Sequence, residues 1–153
     1  MIYRKAKMSD VESIHSLINN YAKEGLMLAR SRSCLYEGLR EYTVVENDGT
    51  IVGVGGLHIL WHDLAEVRAL AIAPEYARMG IGRQILALLE QEARELELPR
   101  LFALTYQPKF FTKCGFQKVE HKNLPQKVWK ECINCPKFPE CDEQAVLKVL
   151  KNE

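Results

Sequence analysis

The segment Leu70-Ala71-Ile72-Ala73-Pro74-Glu75-Tyr76-Ala77-Arg78-Met79-Gly80-Ile81-Gly82-Arg83 constrains this chain more than any other. It reads as an apolar strand that passes through a short turn into an amphipathic helix. Two glycines one residue apart let the backbone approach a ligand closely, and the helix that follows aims its first N–H groups and positive dipole end at whatever sits there. An anion such as a pyrophosphate fits this arrangement. The segment has neither the Gly-Lys-Ser/Thr of a P-loop nor the three-glycine spacing of a dinucleotide fingerprint, which excludes both of those classes. Taken alone, a Gly-x-Gly before a helix is equally compatible with a plain strand-to-helix turn, so the surrounding pattern has to decide.

At 153 residues and 47% hydrophobic the chain has the apolar content of one domain with a proper core. Its 21 basic residues are balanced by 20 acidic ones, which gives no electrostatic case for a nucleic-acid partner. Met1-Ile2-Tyr3-Arg4-Lys5 lacks the apolar core of a signal peptide, and the apolar run Ile51 to Leu60 is too short to span a bilayer. A cytoplasmic protein with no membrane partner is expected. Five cysteines, an odd number without a secretion signal, argue against a disulfide framework.

Ile2 to Ala6 reads as a first strand. Ser9-Asp10-Val11-Glu12 reads as a capping box opening a helix with Val11, Ile14, Leu17, Ile18 and Tyr21 on one face. A second helix is expected over Ser33 to Arg40. Glu41 to Glu46 and Ile51 to Leu60 form a hairpin about Asn47-Asp48-Gly49. No helix follows Gly53, Gly55 and Gly56, so these mark a bulged or closely packed strand rather than a binding loop. Glu66 to Ile72 is a third long strand. A helix then runs from Ile81 to Leu96 with Ile81, Ile85, Leu88, Leu89, Ala93 and Leu96 inward, followed by a strand from Leu101 to Tyr106, a short helix around Phe110 and a last strand from Gly115 to Val119.

This order, with Gly80 and Gly82 after the third long strand, resembles the GNAT superfamily of acyl-CoA N-acyltransferases over Met1 to about His121. Phe111-Thr112-Lys113-Cys114-Gly115-Phe116 resembles the aromatic-x-x-x-Gly-Phe segment that closes the acetyl-CoA site there. The resemblance implies an α/β (α+β) fold with a mixed, mostly antiparallel sheet flanked by helices, in one domain over residues 1–153 with 122–153 as a cysteine-containing extension packed on it. It implies acetyl-CoA as co-substrate, contacted by Leu70, Ala71, Ile72, Arg78, Met79, Gly80, Ile81, Gly82, Arg83 and Phe111. The family's Gln/Arg position ahead of the glycines is Ala77 here, with Arg78 one place later. The backbone cradle does not need that side chain.

Strand periodicity puts Glu66, Arg68, Leu70 and Ile72 on one face and Val67, Ala69 and Ala71 on the other. Glu66 and Arg68 together are either an ion pair near a strand end or part of a catalytic site. An acceptor amine is protonated at neutral pH and attacks a thioester only after a base removes its proton. Glu66 stands six residues before Ile72, at the position where histone acetyltransferases of the superfamily carry their glutamate base. The tyrosine with which the superfamily often protonates the departing thiolate is Phe111 here, which leaves Tyr106 as the nearest substitute by sequence, or as a structural residue. A thiol titrating near 8.5 leaves with modest help in any case. Cys114 has no identifiable histidine partner, and direct transfer needs no acyl-enzyme.

A closer resemblance, over nearly the whole chain, is to the short form of the N-acetylglutamate synthase family. It is carried by Leu28-Ala29-Arg30-Ser31, Leu35-Tyr36-Glu37-Gly38-Leu39-Arg40-Glu41, Trp61-His62-Asp63-Leu64-Ala65-Glu66-Val67-Arg68, Phe102-Ala103-Leu104-Thr105-Tyr106-Gln107-Pro108 and Cys132-Ile133-Asn134-Cys135-Pro136-Lys137-Phe138. It implies L-glutamate as acceptor, in the first step of arginine biosynthesis. A dicarboxylate needs fixed cations, and guanidinium forks bind carboxylates bidentately. Arg30 matches the family's acceptor-binding arginine in its Leu-x-x-Arg-Ser segment, with Arg32 and Arg68 as further candidates. Long members carry an arginine-binding kinase-like domain ahead of the acetyltransferase. This chain starts at the acetyltransferase, so such control is expected only from a partner chain, and a homodimer is the other candidate assembly. Transfer to another small amine or a protein amino terminus, and a non-catalytic acetyl-CoA sensor, remain as alternative functions.

Cys132, Cys135 and Cys141 offer three thiolates for a tetrahedral zinc site, with His121, Cys114 or Asp142 as the fourth ligand. One Cys-x-x-Cys is half of a zinc signature, so reduced structural or redox-sensitive cysteines are expected ahead of a metal. His15, His58 and His62 are expected in packing or surface roles, with His62 close enough in sequence to Glu66 to line an acceptor site.

Overall fold

The computed structural model describes residues 1–124 and 143–150. Within them the chain forms β1 (Ile2–Lys5), α1 (Val11–Lys23), α2 (Arg32–Glu37), β2 (Tyr42–Asn47), β3 (Thr50–Trp61), β4 (Leu64–Ile72), α3 (Ile81–Glu95), β5 (Arg100–Thr105), α4 (Pro108–Lys113), β6 (Gln117–Val119) and β7 (Gln144–Val149). The strands hydrogen-bond in the order β1-β2-β3-β4-β5-β7-β6. β4 and β5 pair in parallel, whereas β1–β2, β2–β3, β5–β7 and β6–β7 are antiparallel, giving the mixed, mostly antiparallel sheet expected. No described helix is long and apolar enough to cross a membrane. The fold divides into two compact units, Met1–His58 with Val67–Glu92, and Ile59–Glu66 with Ala93–Glu153.

In the first unit α1 buries Val11, Ile14 and Ile18, three residues at helical spacing, against Leu35, Tyr42, Val44, Val54 and Ala71. Alternation along β3 turns the neighbouring Gly53 and Gly55 the other way, toward α3. A Cβ on Gly53 would stand 3.1 Å from Ile72 Cδ1 and 3.3 Å from Ile81 Cγ2, and one on Gly55 would stand 2.7 Å from Ile85 Cγ2. These glycines therefore make a closely packed strand, as their sequence context indicated. The helix register also buries Leu86.

The start of α1 differs from the sequence reading. A 3-10 turn at Met8–Asp10 precedes the helix, and Asp10 accepts from the Lys7 amide at 2.8 Å. It also accepts from both terminal nitrogens of Arg4, at 2.7 and 3.0 Å. The Glu12 carboxylate that a capping box with Ser9 would use is taken instead by the Arg32 fork, at 2.8 and 2.9 Å. α2 is shorter than expected and starts earlier. Ser31 caps it by accepting from the Cys34 amide at 3.1 Å, and the helix gives way at Gly38 to a 3-10 turn at Leu39–Glu41.

β4 begins two residues before Glu66 and carries Ala69 at φ +55. A left-handed residue inside a strand breaks the pleat. The alternation expected to keep Glu66, Arg68, Leu70 and Ile72 on one face therefore does not run through Ala69 unbroken.

In the second unit β5 pairs with the start of β4 at Ala65↔Leu101 and Glu66↔Phe102. On its other side it pairs with β7 from Arg100↔Val149 to Thr105↔Gln144. The sequence reading stopped its strands at Val119 and missed β7, which is an interior strand between β5 and β6. Phe102, Leu64, Leu124 and Ala145 form its core cluster. Leu96, expected inward, is exposed. The chain turns at Glu97 (φ +64), the Leu98 amide donates to Ala93 O at 2.9 Å, and Leu98 is buried instead.

Arg4 also pairs with Glu46 on β2 at 2.8 Å, so one guanidinium ties β1, the entry to α1 and β2 together. The Arg4 hydrogen bonds hold the Asp10 carboxyl below its ordinary value near 3.8, aided by the Lys7 amide and opposed by burial. A depressed carboxyl stabilises the fold above its unfolded pKa, and that contribution is lost as pH falls through the folded one. Arg4→Met should lower stability at pH 7 by on the order of 1–3 kcal/mol and should remove much of the stability loss seen in the wild type on acidification below about pH 4. Urea unfolding at pH 7 and pH 3 measures both effects.

Candidate active site

The turn that carries the two glycines is fixed from three directions, all within the first unit. The Ala73 amide donates to Val52 O on β3 at 2.8 Å. The Tyr21 hydroxyl, from the last turns of α1, donates to Ile72 O at 2.5 Å. Asn47 Nδ2, from β2, donates to the Tyr76 hydroxyl at 3.0 Å and so holds the 3-10 turn Pro74–Tyr76. Sequence reasoning placed Tyr21 only among the apolar residues of α1 and did not single out Asn47 or Tyr76.

Arg78 (φ +64) and Gly80 (φ +80) both adopt left-handed backbone immediately before α3. For an arginine this costs about 1–2 kcal/mol, the kind of local strain that collects where a backbone must present its amides. Nothing lies within 4 Å of where a Cβ on Gly80 would stand, so that glycine serves backbone conformation and not packing. Residues 77–80 are exposed, and the 15-residue α3 starts at Ile81. The first amides of α3 are therefore reachable by a ligand. They carry the positive end of a long helix dipole, flanked by the exposed Arg78 and Arg83. The turn suits a pyrophosphate.

The other nominated contacts separate by role. Leu70, Ile72 and Ile81 direct side chains at the glycine face of β3, and Ala71 belongs to the cluster under α1. Met79 is exposed. From Leu70, Ala71, Ile72 and Ile81 a ligand would meet backbone, which is how an amide cradle works.

Arg30 is held by Asn19 of α1. The Arg30 amide donates to Asn19 Oδ1 at 3.2 Å, and Asn19 Nδ2 donates to Arg30 O at 3.0 Å and to His15 O at 2.8 Å. One side-chain amide thus fixes both polar groups of Arg30's backbone, leaving its direction set by α1. Nothing in the sequence pattern flagged Asn19. Arg32 meets Glu12 in a bidentate pair at 2.8 and 2.9 Å on an exposed surface. That pair raises the Arg32 pKa and lowers that of Glu12. Arg68 is a buried cation on β4, at 8% exposure. His58 Nδ1 lies 2.9 Å from Glu41 Oε2.

In the second unit Glu66 is half-buried on β4 opposite Phe102, and Tyr106 is half-buried just past the end of β5. Phe111 is buried, its ring edge-on to Phe110 and Phe116 at 5.2 Å from each. Lys148 of β7 donates to Cys114 O at 2.8 Å, and a Cβ on Gly115 (φ +96) would meet its ammonium at 3.0 Å. The aromatic-to-Gly-Phe segment is thus closed by a lysine from the strand that the sequence reading missed. His62 is exposed and tilted against Trp61. His121 Nε2 donates to Glu143 O at 2.6 Å, since a carbonyl only accepts. Cys132, Cys135, Cys141 and Asp142 lie outside the described residues. Among the described residues no cluster of three or more metal-ligating side chains is placed to hold an ion.

A family model described as the acetyltransferase (GNAT) family matches residues 10–116. The chain belongs to that family. It is 35% identical over 147 residues to an uncharacterized N-acetyltransferase of Chlorobaculum tepidum, covering 96% of this chain and 95% of the other. It is 38% identical over 133 residues to an amino-acid acetyltransferase of Mycobacterium tuberculosis, covering 85% and 76%. Among solved structures, a Mycobacterium tuberculosis protein in complex with CoA and NLQ superimposes with a TM-score of 0.86 at 33% identity, over 99% of this chain and all of that one. N-acetylglutamate synthase of Neisseria gonorrhoeae, in complex with CoA and N-acetyl-glutamate, superimposes with a TM-score of 0.89 at 27% identity, over 99% of this chain and 35% of that one. The protein is an acetyl-CoA-dependent N-acetyltransferase.

Gly82→Asp should abolish CoA binding while the fold survives, because an acidic side chain in the first turn suits the helix dipole but repels a pyrophosphate. Calorimetric titration with CoA beside a thermal melt checks both halves of this expectation.

Proposed function

We propose that this enzyme transfers the acetyl group of acetyl-CoA to the amine of L-glutamate, as in the first step of arginine biosynthesis. The main support is the likeness to N-acetylglutamate synthase in complex with CoA and N-acetyl-glutamate. The fixed backbone of Arg30, in a segment that resembles the acceptor-binding segment of that family, agrees with it. A locked backbone fixes where the side chain starts, and its planar fork matches a carboxylate bidentately. Arg32 is engaged by Glu12 on an exposed surface, which argues against it in this role.

In this reading the amides from Arg78 to Arg83 hold the pyrophosphate, and acetyl-CoA supplies a thioester carbon open to attack. Glu66 takes the proton from the acceptor ammonium. The freed nitrogen pair forms the N–C bond, the C–S bond breaks, and its electron pair leaves with the thiolate. Phe111 offers no acid for that thiolate, and the aromatic packing around it makes it part of the core. Tyr106 is the proposed proton donor. A thiolate with a conjugate acid near 8.5 tolerates a weak one.

A panel of amino acids with acetyl-CoA, followed by release of free thiol, tests the assignment. Glutamate should react best. Turnover of a different amine would reassign the acceptor, and CoA binding with no turnover of any amine would make the protein a sensor.

Glu66→Gln should lower kcat by about a hundredfold, leave CoA affinity unchanged in calorimetry, and remove the acid limb of the pH–rate profile. Arg30→Ala should raise the KM for glutamate by the equivalent of about 2–5 kcal/mol with little change in the KM for acetyl-CoA. Steady-state kinetics with each substrate varied in turn separates the two.

A further inference from the structure

We propose that Tyr21 is a positioning residue for acetyl-CoA, its hydroxyl fixing the peptide at which β4 hands over to the phosphate-binding turn. The inference rests on acetyl-CoA being held by that turn. The peptide between Ile72 and Ala73 has both polar ends bound: its carbonyl accepts from the Tyr21 hydroxyl, and its N–H donates to Val52 O. One partner is a sheet neighbour and the other is a side chain from α1. The Ile72 side chain is held as well, since its Cδ1 stands 3.1 Å from the point where a Cβ on Gly53 would be.

This peptide is where the chain leaves the sheet, and beyond it the Asn47 bond to the Tyr76 hydroxyl holds the 3-10 turn. Pro74 has no amide hydrogen to donate, and the residues from 77 to 80 are exposed. The rotation of the Ile72–Ala73 peptide, together with the Asn47 bond to Tyr76, therefore helps set where the left-handed Arg78 and Gly80 deliver the chain to α3. Tyr21 can hold it because its ring packs against the apolar cluster under α1, which leaves the hydroxyl the reach of a rigid arm. Burial, with Glu24 and Glu75 nearby, raises the Tyr21 pKa above its ordinary 10, so the hydroxyl remains a donor across the working pH range.

Tyr21→Phe removes the hydroxyl and keeps the ring. CoA affinity by calorimetry and the KM for acetyl-CoA should both weaken roughly five- to tenfold. The KM for the amine acceptor and kcat should stay within about twofold, and amide hydrogen exchange over residues 73–80 should quicken in the free protein. A purely structural hydroxyl would lower the melting temperature and leave CoA affinity as it is, and that result overturns the proposal. Gly82→Asp is titrated in parallel. If it abolishes CoA binding while Tyr21→Phe binds normally, the positioning role alone fails. If Gly82→Asp also binds normally, the placement of acetyl-CoA at the turn fails, and the role of Tyr21 with it.

Discussion

The contact on which the first unit depends is the seating of α3 directly on the glycine face of β3. Gly55 leaves no room for a methyl group, since a Cβ there would fall 2.7 Å from Ile85, and Gly53 is tight, with Ile72 at 3.1 Å and Ile81 at 3.3 Å. Overpacking of this kind costs about 1–3 kcal/mol, and any relief would have to come from displacing α3. That displacement would also move the helix N-terminus, which is the end that matters chemically. A packing constraint in the middle of a strand thus fixes the position of a helix N-terminus, where we propose that the pyrophosphate binds. Ile81 joins the two, being both the first residue of α3 and a contact of the Gly53 position.

The turn between β4 and α3 is held by the same logic applied to hydrogen bonds. Of its two left-handed residues, Gly80 is unstrained, but Arg78 needs an anchored chain on either side, because strained backbone persists only where the surroundings determine it. On one side are the bonds made by Tyr21, Val52 and Asn47, and on the other is the packed start of α3. The anchors come from α1, β3 and β2. Residues scattered over the first half of the sequence therefore converge on one short loop, although none of them belongs to a motif.

That scatter explains what was legible from sequence. Strands β1 to β5, the long helices and the glycine turn follow from apolar periodicity and turn chemistry, which are local signals. β7 was not legible. Gln144–Val149 is a short run with a buried pattern that does not alternate, and its place between β5 and β6 is set only by long-range pairing. Leu96 and Leu98 both fit an apolar arc, and the turn at Glu97 decides between them. The cap of α1 failed for a comparable reason: Ser9 and Glu12 read as a good local box, but Arg32, 20 residues away, offers Glu12 two charged donors. The nominated site residues were readable as residue types at fixed spacing. Their supports, Tyr21, Asn19 and Lys148, act through side-chain hydrogen bonds to backbone groups, which leave no periodic trace.

The arginines show how far residue type alone carries a functional argument. Arg4, Arg30, Arg32 and Arg68 all belong to the first unit, and all offer the same planar fork. Arg4 spends its fork on Asp10 and Glu46, and Arg32 spends its own on Glu12. Arg30 differs in what is held, since Asn19 grips its backbone. Asn19 Nδ2 is itself bonded to the carbonyl of His15, one turn earlier on α1, so the clamp is as rigid as the helix. Arg68 is buried on a strand whose pleat is broken one residue later by Ala69. A guanidinium bound to a carboxylate ties elements of the fold together, whereas the grip of Asn19 on the Arg30 main chain fixes the point from which that side chain starts. What each guanidinium and each main chain is bonded to, and not the number of arginines, separates these residues.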